Sequence, residues 1–234
     1  MRRDRLIVAL DVADLGKVQE IVQRLGKSVS FYKVGLRLFT REGPRVVQWL
    51  KKKGLKVFLD LKFHDIPNTV SQAVESAVAL GVDFMTVHGM GGLEMMEAAV
   101  NSARLSARRF KQKKPKIFAV TVLTSLARLQ PLGISSSIPQ QVLRIADLAK
   151  RSGADGIVCS PLEVTKVRKR VGKSLLILTP GVRIEEERST DDQKRTATPS
   201  QAIRDGSDYI VLGRPILKAS DPQKLVRRIL RNHF

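Results

Sequence analysis

Cysteine is nearly absent: Cys159 stands alone among 234 residues. One thiol cannot form an internal disulfide, and a chain of this size without one fits a reducing compartment. Cys159 lies in the apolar run "GIVCS", which reads as a small core residue rather than a nucleophile. Aromatic side chains are scarce, with one Trp and two Tyr, so little is available on which bases could stack. No apolar run reaches 18 residues, and Asp11 interrupts the first apolar stretch too early for a signal peptide. These absences predict a soluble cytoplasmic protein with no membrane partner. There is no P-loop, dinucleotide fingerprint, HExxH or paired CxxC. His64 and His88 lack metal-ligand spacing; His88 reads as a hydrogen-bonding group at a rim, and His233 as a terminal residue.

Acids are also few, 22 against 42 Lys and Arg, for a net charge of +20. Such a surface attracts anions and can hold nucleic acid nonspecifically. The basic clusters at 51–56 ("KKKGLK"), 104–116, 166–173 and 224–231 fall in four separate segments, mostly helical in pattern. A nucleic-acid groove needs them on one face, so solvated outer faces with no specific nucleic-acid partner are expected.

What the chain does have is a pattern of alternation. Eight short apolar or β-branched runs occur at 5–12, 31–35, 56–62, 84–88, 116–123, 156–160, 175–180 and 209–214. Stretches of 3.6-residue periodicity separate them, such as "LGKVQEIVQRL", where Leu15, Val18, Ile21, Val22 and Leu25 share a face. Asn68, just after Pro67, is a candidate N-cap for the helix after the third run. Near-continuous apolar strands are those of a parallel sheet covered on both faces. Eight strand–helix units in this length predict an α/β fold, a (β/α)8 barrel occupying residues 1–234 as a single domain. A doubly wound open sheet is the structural alternative.

Barrel active sites lie at the C-terminal ends of the strands. Polar residues at those ends are Asp11, Lys33, Asp60, Lys62, His88 and Thr124. Asp60 and Lys62 are two apart in "DLKFHDIPNT", so they face the same side, and a charged pair suits the mouth better than the apolar helix layer. A rim salt bridge alone would be structural. With Asp11 and Lys33 on the preceding strands, alternating charges converge on one cavity. "TPGVR" (179–183) and "GRPI" (213–216) follow the seventh and eighth runs, the usual place for a phosphate in this fold. There Gly213 permits close backbone approach, and Arg183 and Arg214 supply forked charge.

These blocks carry a resemblance. "DLKFHDIPNT" resembles the Asp-x-Lys-x-x-Asp-Ile-Pro-x-Thr signature of the orotidine 5'-phosphate decarboxylase family. "LIVALDV", "FYKVG", "TVHGMGG", "VTVLTS", "TPGVR", "DDQKR" and "ATPSQAIRDGSDYIVLGRPI" follow in that family's order over nearly the whole chain. The resemblance implies a (β/α)8 homodimer with shared active sites that converts orotidine 5'-monophosphate to UMP without metal or organic cofactor. It implies Lys62 as the acid that protonates C6, Asp60 beside the substrate carboxylate, and Lys33 in the same network and on the ribose. Asp65 and Thr69 would cross to the neighbouring subunit's site. Asp11 would bind ribose hydroxyls and Thr124 the pyrimidine. Arg183, Gly213, Arg214 and Gln193 would grip the phosphate, with Gln193 also closing over the base. The strongly basic surface departs from the family pattern at no matched motif.

Chemistry alone supports such roles. Decarboxylation leaves charge on a ring carbon that has no cofactor sink, and a fixed ammonium can stabilise that charge and donate the proton. Phosphate binding can drive closure of the 181–196 loop. Two other readings stand beside this one. The first is a Mg2+-dependent sugar-phosphate decarboxylase or aldolase of the same barrel superfamily, disfavoured by "DIPNT" and the long loop after the seventh run. The second is a basic nucleic-acid-binding protein, supported by charge alone.

Overall fold

The computed structural model describes residues 3–183 and 197–233. Eight strands form: β1 (Leu6–Ala9), β2 (Phe31–Gly35), β3 (Lys56–Phe63), β4 (Phe84–His88), β5 (Lys116–Val120), β6 (Gly156–Val158), β7 (Leu176–Thr179) and β8 (Tyr209–Leu212). Each pairs in parallel with its neighbours in chain order, and β8 pairs with β1 to close a barrel. Closure excludes the open doubly wound sheet. β1 and β5 stop before their apolar runs do, although Leu10 and Val122 beyond them stay buried.

Around the barrel lie α1 (Leu15–Leu25), α2 (Leu36–Glu42), α3 (Pro44–Lys52), α4 (Pro67–Ala79) and α5 (Gly92–Arg109). α6 (Ile138–Arg151), α7 (Val164–Val171), α8 (Pro199–Arg204), α9 (Arg214–Leu217) and α10 (Pro222–His233) complete the layer among the described residues. On α1 the expected face is inward, with Val18, Ile21 and Leu25 buried, and the Asp14 side chain caps the Lys17 amide at 2.9 Å. The expectation for Asn68 is corrected. α4 begins at Pro67 with Ile66 in the N-cap position, so Asn68 lies inside the first turn. Pro at the first helical position has its φ preset and no amide to satisfy, which moves the start two residues earlier.

The core has two shells. Between sheet and helices lies a continuous layer of Val, Leu, Ile, Ala and Met. Inside the barrel, Ile7, Ala9, Phe31, Phe58, Phe84, Phe118, Leu178 and Val211 form the plug. Its rings meet edge to face, with Phe31 and Phe84 centroids 4.8 Å apart and Phe84 and Tyr209 5.0 Å apart. Gly156 is the complement of a large neighbour: a Cβ there would fall 2.5 Å from the Phe118 ring.

One device recurs at the N-terminal end of the barrel. Gly81-Val82-Asp83, Gly153-Ala154-Asp155 and Gly206-Ser207-Asp208 each precede an even-numbered strand. The three aspartates accept from Val57, Ile117 and Ile177 amides at 2.9, 2.9 and 2.8 Å, satisfying the amide of the second residue in the preceding odd-numbered strand. Each carboxylate also pairs with a cation: Lys51, Lys114 and Arg168 respectively.

Candidate active site

In a pleated strand alternate residues face inward. Two positions beyond the aromatic plug, the inward residue of each strand is therefore at the mouth: Lys33 after Phe31, Asp60 after Phe58, Thr86 after Phe84. Lys33 and Asp60 line a cavity of about 260 Å³ together with Asp11, Lys62, Thr124, Pro180, Gly181, Arg183, Gly213 and Arg214, while Thr86 lies buried behind them.

Four charges run through it in alternating sign. Lys33 Nζ lies 3.1 Å from Asp11 Oδ1 and 3.6 Å from Asp60 Oδ2, and Lys62 Nζ lies 2.9 Å from Asp60 Oδ1. Asp60 and Lys33 are largely buried, whereas Asp11 is half exposed at 55%. Burial opposes ionisation of Asp60, but the Lys33 and Lys62 ammoniums and the hydrogen bonds from Lys62 and Thr86 outweigh it. Its carboxyl is held below the ordinary carboxylate value.

The strand supplies this geometry by breaking its own register. Leu59 pairs with Met85, yet Phe63 pairs with Val87, so β3 spends four residues where β4 spends two. Lys62 sits at the top of this bulge with φ of +52°, the left-handed region that non-glycine residues rarely enter. Such a backbone costs about 1–3 kcal/mol and persists where the surroundings hold it. Here the Thr86 hydroxyl accepts the Lys62 amide at 2.9 Å and donates to Asp60 Oδ1 at 3.0 Å. Asp60 and Lys62 do face one cavity, but through a bulge rather than by plain alternation.

Thr86 was not among the residues expected from sequence. It is fully buried, and its one signal was a hydroxyl in the otherwise apolar "FMTV". His88 occupies the rim as expected: its Nδ1 accepts the Met90 amide at 3.3 Å, and its ring stacks on His64 at 5.1 Å. Burial, His64 and Lys62 together push His88 down to about 4.

On the opposite wall Arg183 is buried to 8% exposure and its amide donates to Ala197 O at 2.9 Å. Gly213 approaches β1 closely, since a Cβ would lie 3.3 Å from both Ala9 Cβ and Asp11 Oδ2. Glycine thus keeps the loop after β8 against the floor of the cavity, with Arg214 beginning α9 beside it.

Asp65 and Thr69 are exposed and lie outside the lining of this cavity. The Asp65 carboxylate accepts the Ile66 amide at 2.7 Å. Gln193 lies outside the described residues. Cys159 is buried, in keeping with a core residue. Among the described residues no three His, Cys, Asp or Glu side chains group as metal ligands, and no helix is long and apolar enough to cross a membrane.

Comparison with known proteins joins this geometry to a family. Residues 4–229 match the model of the "Orotidine 5'-phosphate decarboxylase / HUMPS family". The chain is 46% identical over 230 residues to orotidine 5'-phosphate decarboxylase of Legionella pneumophila (strain Corby), covering 97% of this chain and 98% of the relative. It is 45% identical over 232 residues to the enzyme of that name from Nostoc sp., with 98% and 97% covered. Among solved structures, orotidine 5'-phosphate decarboxylase from Lactobacillus acidophilus superposes with a TM-score of 0.86 at 39% identity, with 97% of each chain covered.

Proposed function

The chain belongs to the orotidine 5'-phosphate decarboxylase / HUMPS family, and from that premise we propose how it converts orotidine 5'-monophosphate to UMP. The activity is that of a carboxy-lyase in pyrimidine nucleotide biosynthesis, as in the relatives that share its full length. The observation that carries the residue assignment is the Asp11–Lys33–Asp60–Lys62 row at the cavity floor.

In this reading the pyrimidine C6 lies against Lys62 and its carboxylate faces Asp60. The C6–carboxylate bond breaks, CO2 departs, and the electron pair stays on C6. Lys62 Nζ donates a proton to that carbon and recovers one from solvent. Because the ammonium is already oriented by Asp60, little reorganisation accompanies the appearance of charge. The ionised Asp60 repels the substrate carboxylate, and that repulsion disappears with CO2. Lys33 ties Asp60 to Asp11 and reaches the ribose with it, while Thr124 contacts the pyrimidine. Arg183, Arg214 and the Gly213 backbone take the phosphate, with Gln193 joining them. Phosphate binding is remote from C6, so its energy serves to position the ring.

The active unit in this reading is a homodimer in the cytoplasm. Leu36, Ile66, Met90 and Leu123, which follow β2, β3, β4 and β5, are exposed at 57, 66, 41 and 39%. Large apolar side chains gathered on one side of the barrel mouth suit a protein interface. Asp65 and Thr69 flank Ile66 and would enter the partner's cavity from there. The deciding experiment follows the loss of orotidine 5'-monophosphate absorbance with EDTA present. Turnover unaffected by the chelator is expected; dependence on added Mg2+ would favour the sugar-phosphate branch of the superfamily, and no turnover would remove the reading.

A further inference from the structure

Two of the four basic clusters do not lie on separate faces. The ends of 51–56 and 104–116 converge beneath the barrel, at its N-terminal end, on a cavity of about 320 Å³. Lys51 and Lys56 line it at the β3 start and Lys113, Lys114 and Lys116 at the β5 start, with Asp83 between them before β4 and Asp4 and Asp155 also in the lining. The cavity is on the opposite end from the decarboxylation site, and no residue lines both.

The charges do not balance. Lys51, Lys56 and Lys114 pair with Asp83, Asp4 and Asp155 at 2.7, 2.6 and 3.1 Å. Asp83 and Asp155 are already shared with the Val57 and Ile117 amides, and Asp4 with the Ser30 hydroxyl at 3.1 Å. Lys113 and Lys116 have no acidic partner among the described residues, which leaves two positive charges in excess in a concave setting. Concave walls of one sign focus the field and concentrate anions.

We propose that this lower cavity is a second ligand site, taking a small anion with two or more contiguous phosphates. Cations on either side of β4 call for an anion whose charge is spread over its length, which a single phosphate cannot offer. Lys is a point-charge phosphate donor suited to such a ligand. A nucleic acid strand fits less well, because the Phe31 and Phe84 rings are buried in the plug and the half-buried Tyr209 ring is already packed edge to face with Phe84 and Phe118.

The test is titration calorimetry of the whole protein with inorganic pyrophosphate, with and without saturating UMP. One pyrophosphate per chain that UMP does not displace is expected. The pair Lys113→Ala/Lys116→Ala should weaken it about tenfold or more, the loss of two charge-assisted contacts. Lys166→Ala/Lys169→Ala on α7 removes the same charge elsewhere and should change affinity by less than about twofold. Equal weakening by both pairs would mean general charge attraction and overturn the proposal. So would full displacement by UMP, absence of binding, or binding of a single-stranded RNA oligomer in place of pyrophosphate. If UMP itself failed to bind, the decarboxylase reading would suffer, while the two variant pairs would still decide the lower cavity.

Discussion

The Thr86 hydroxyl lies 3.0 Å from the Asp60 carboxylate, and the same oxygen accepts the Lys62 amide at 2.9 Å. One buried side chain thus holds both the acid and the strained backbone that aims the ammonium. Thr86→Val keeps the shape and removes both hydrogen bonds. We expect a kcat loss of about 10–100-fold, equivalent to the 1.5–3 kcal/mol of a hydrogen bond to a charged group, with little change in UMP affinity. Thr86→Ser should restore most of it. Equal losses in kcat and UMP binding, or failure of serine to rescue, would reduce Thr86 to a packing residue.

Arg214→Ala should weaken UMP and substrate by ~1.5–3 kcal/mol, the range for a charge-assisted hydrogen bond. Orotidine lacking its phosphate provides the control, read by inhibition constants. If the nucleoside lost as much affinity as the nucleotide, Arg214 would be serving some other group.

Asp65 stands outside its own cavity, which permits a test of sharing. In the proposed homodimer, the Lys62→Ala and Asp65→Ala variants should each be nearly inactive. When mixed and allowed to exchange, about half the dimers become heterodimers with one intact site of two, so activity should return to roughly one quarter of wild type. Differently tagged chains would verify exchange. No recovery after verified exchange would place Asp65 in its own chain's chemistry.

His88 should make stability fall in mild acid. Its value in the folded chain is about 4, against 6.5 for an ordinary histidine. Between those limits the unfolded chain binds more protons, so stability declines as pH drops from 6.5 toward 4. Asp60, held below the ordinary carboxylate value, contributes stability that is lost only at lower pH, as it protonates. Urea midpoints at pH 7 and pH 5 would be compared for wild type and His88→Asn, whose amide oxygen can still accept from Met90. A smaller drop in the variant is expected; an unchanged drop would assign the acid sensitivity to other groups.

Much of this molecule is local and was therefore legible in one dimension. Apolar strand runs at regular spacing imply a parallel sheet, because burial on both faces demands apolar residues at every strand position. The β2 and β4 runs were matched end to end, and "DLK" pointed to a charged pair at a strand end. The same reasoning chose eight residues that do meet in one cavity: Asp11, Lys33, Asp60, Lys62, Thr124, Arg183, Gly213 and Arg214.

What the tertiary structure decided depends on pairs far apart in the chain. Thr86 and Lys62 are neighbours only because β4 runs two residues short of β3, and no periodicity encodes that register. Asn68 gave way to Pro67 because a helix start is a contest among backbone donors rather than a property of one residue. The basic clusters 51–56 and 104–116 looked separate along the chain, yet barrel closure sets the starts of β3 and β5 on either side of β4. Composition determined how much charge this protein carries; only the closed barrel determined which of those charges face each other, because electrostatic energy depends on distance in space and not on distance along the chain.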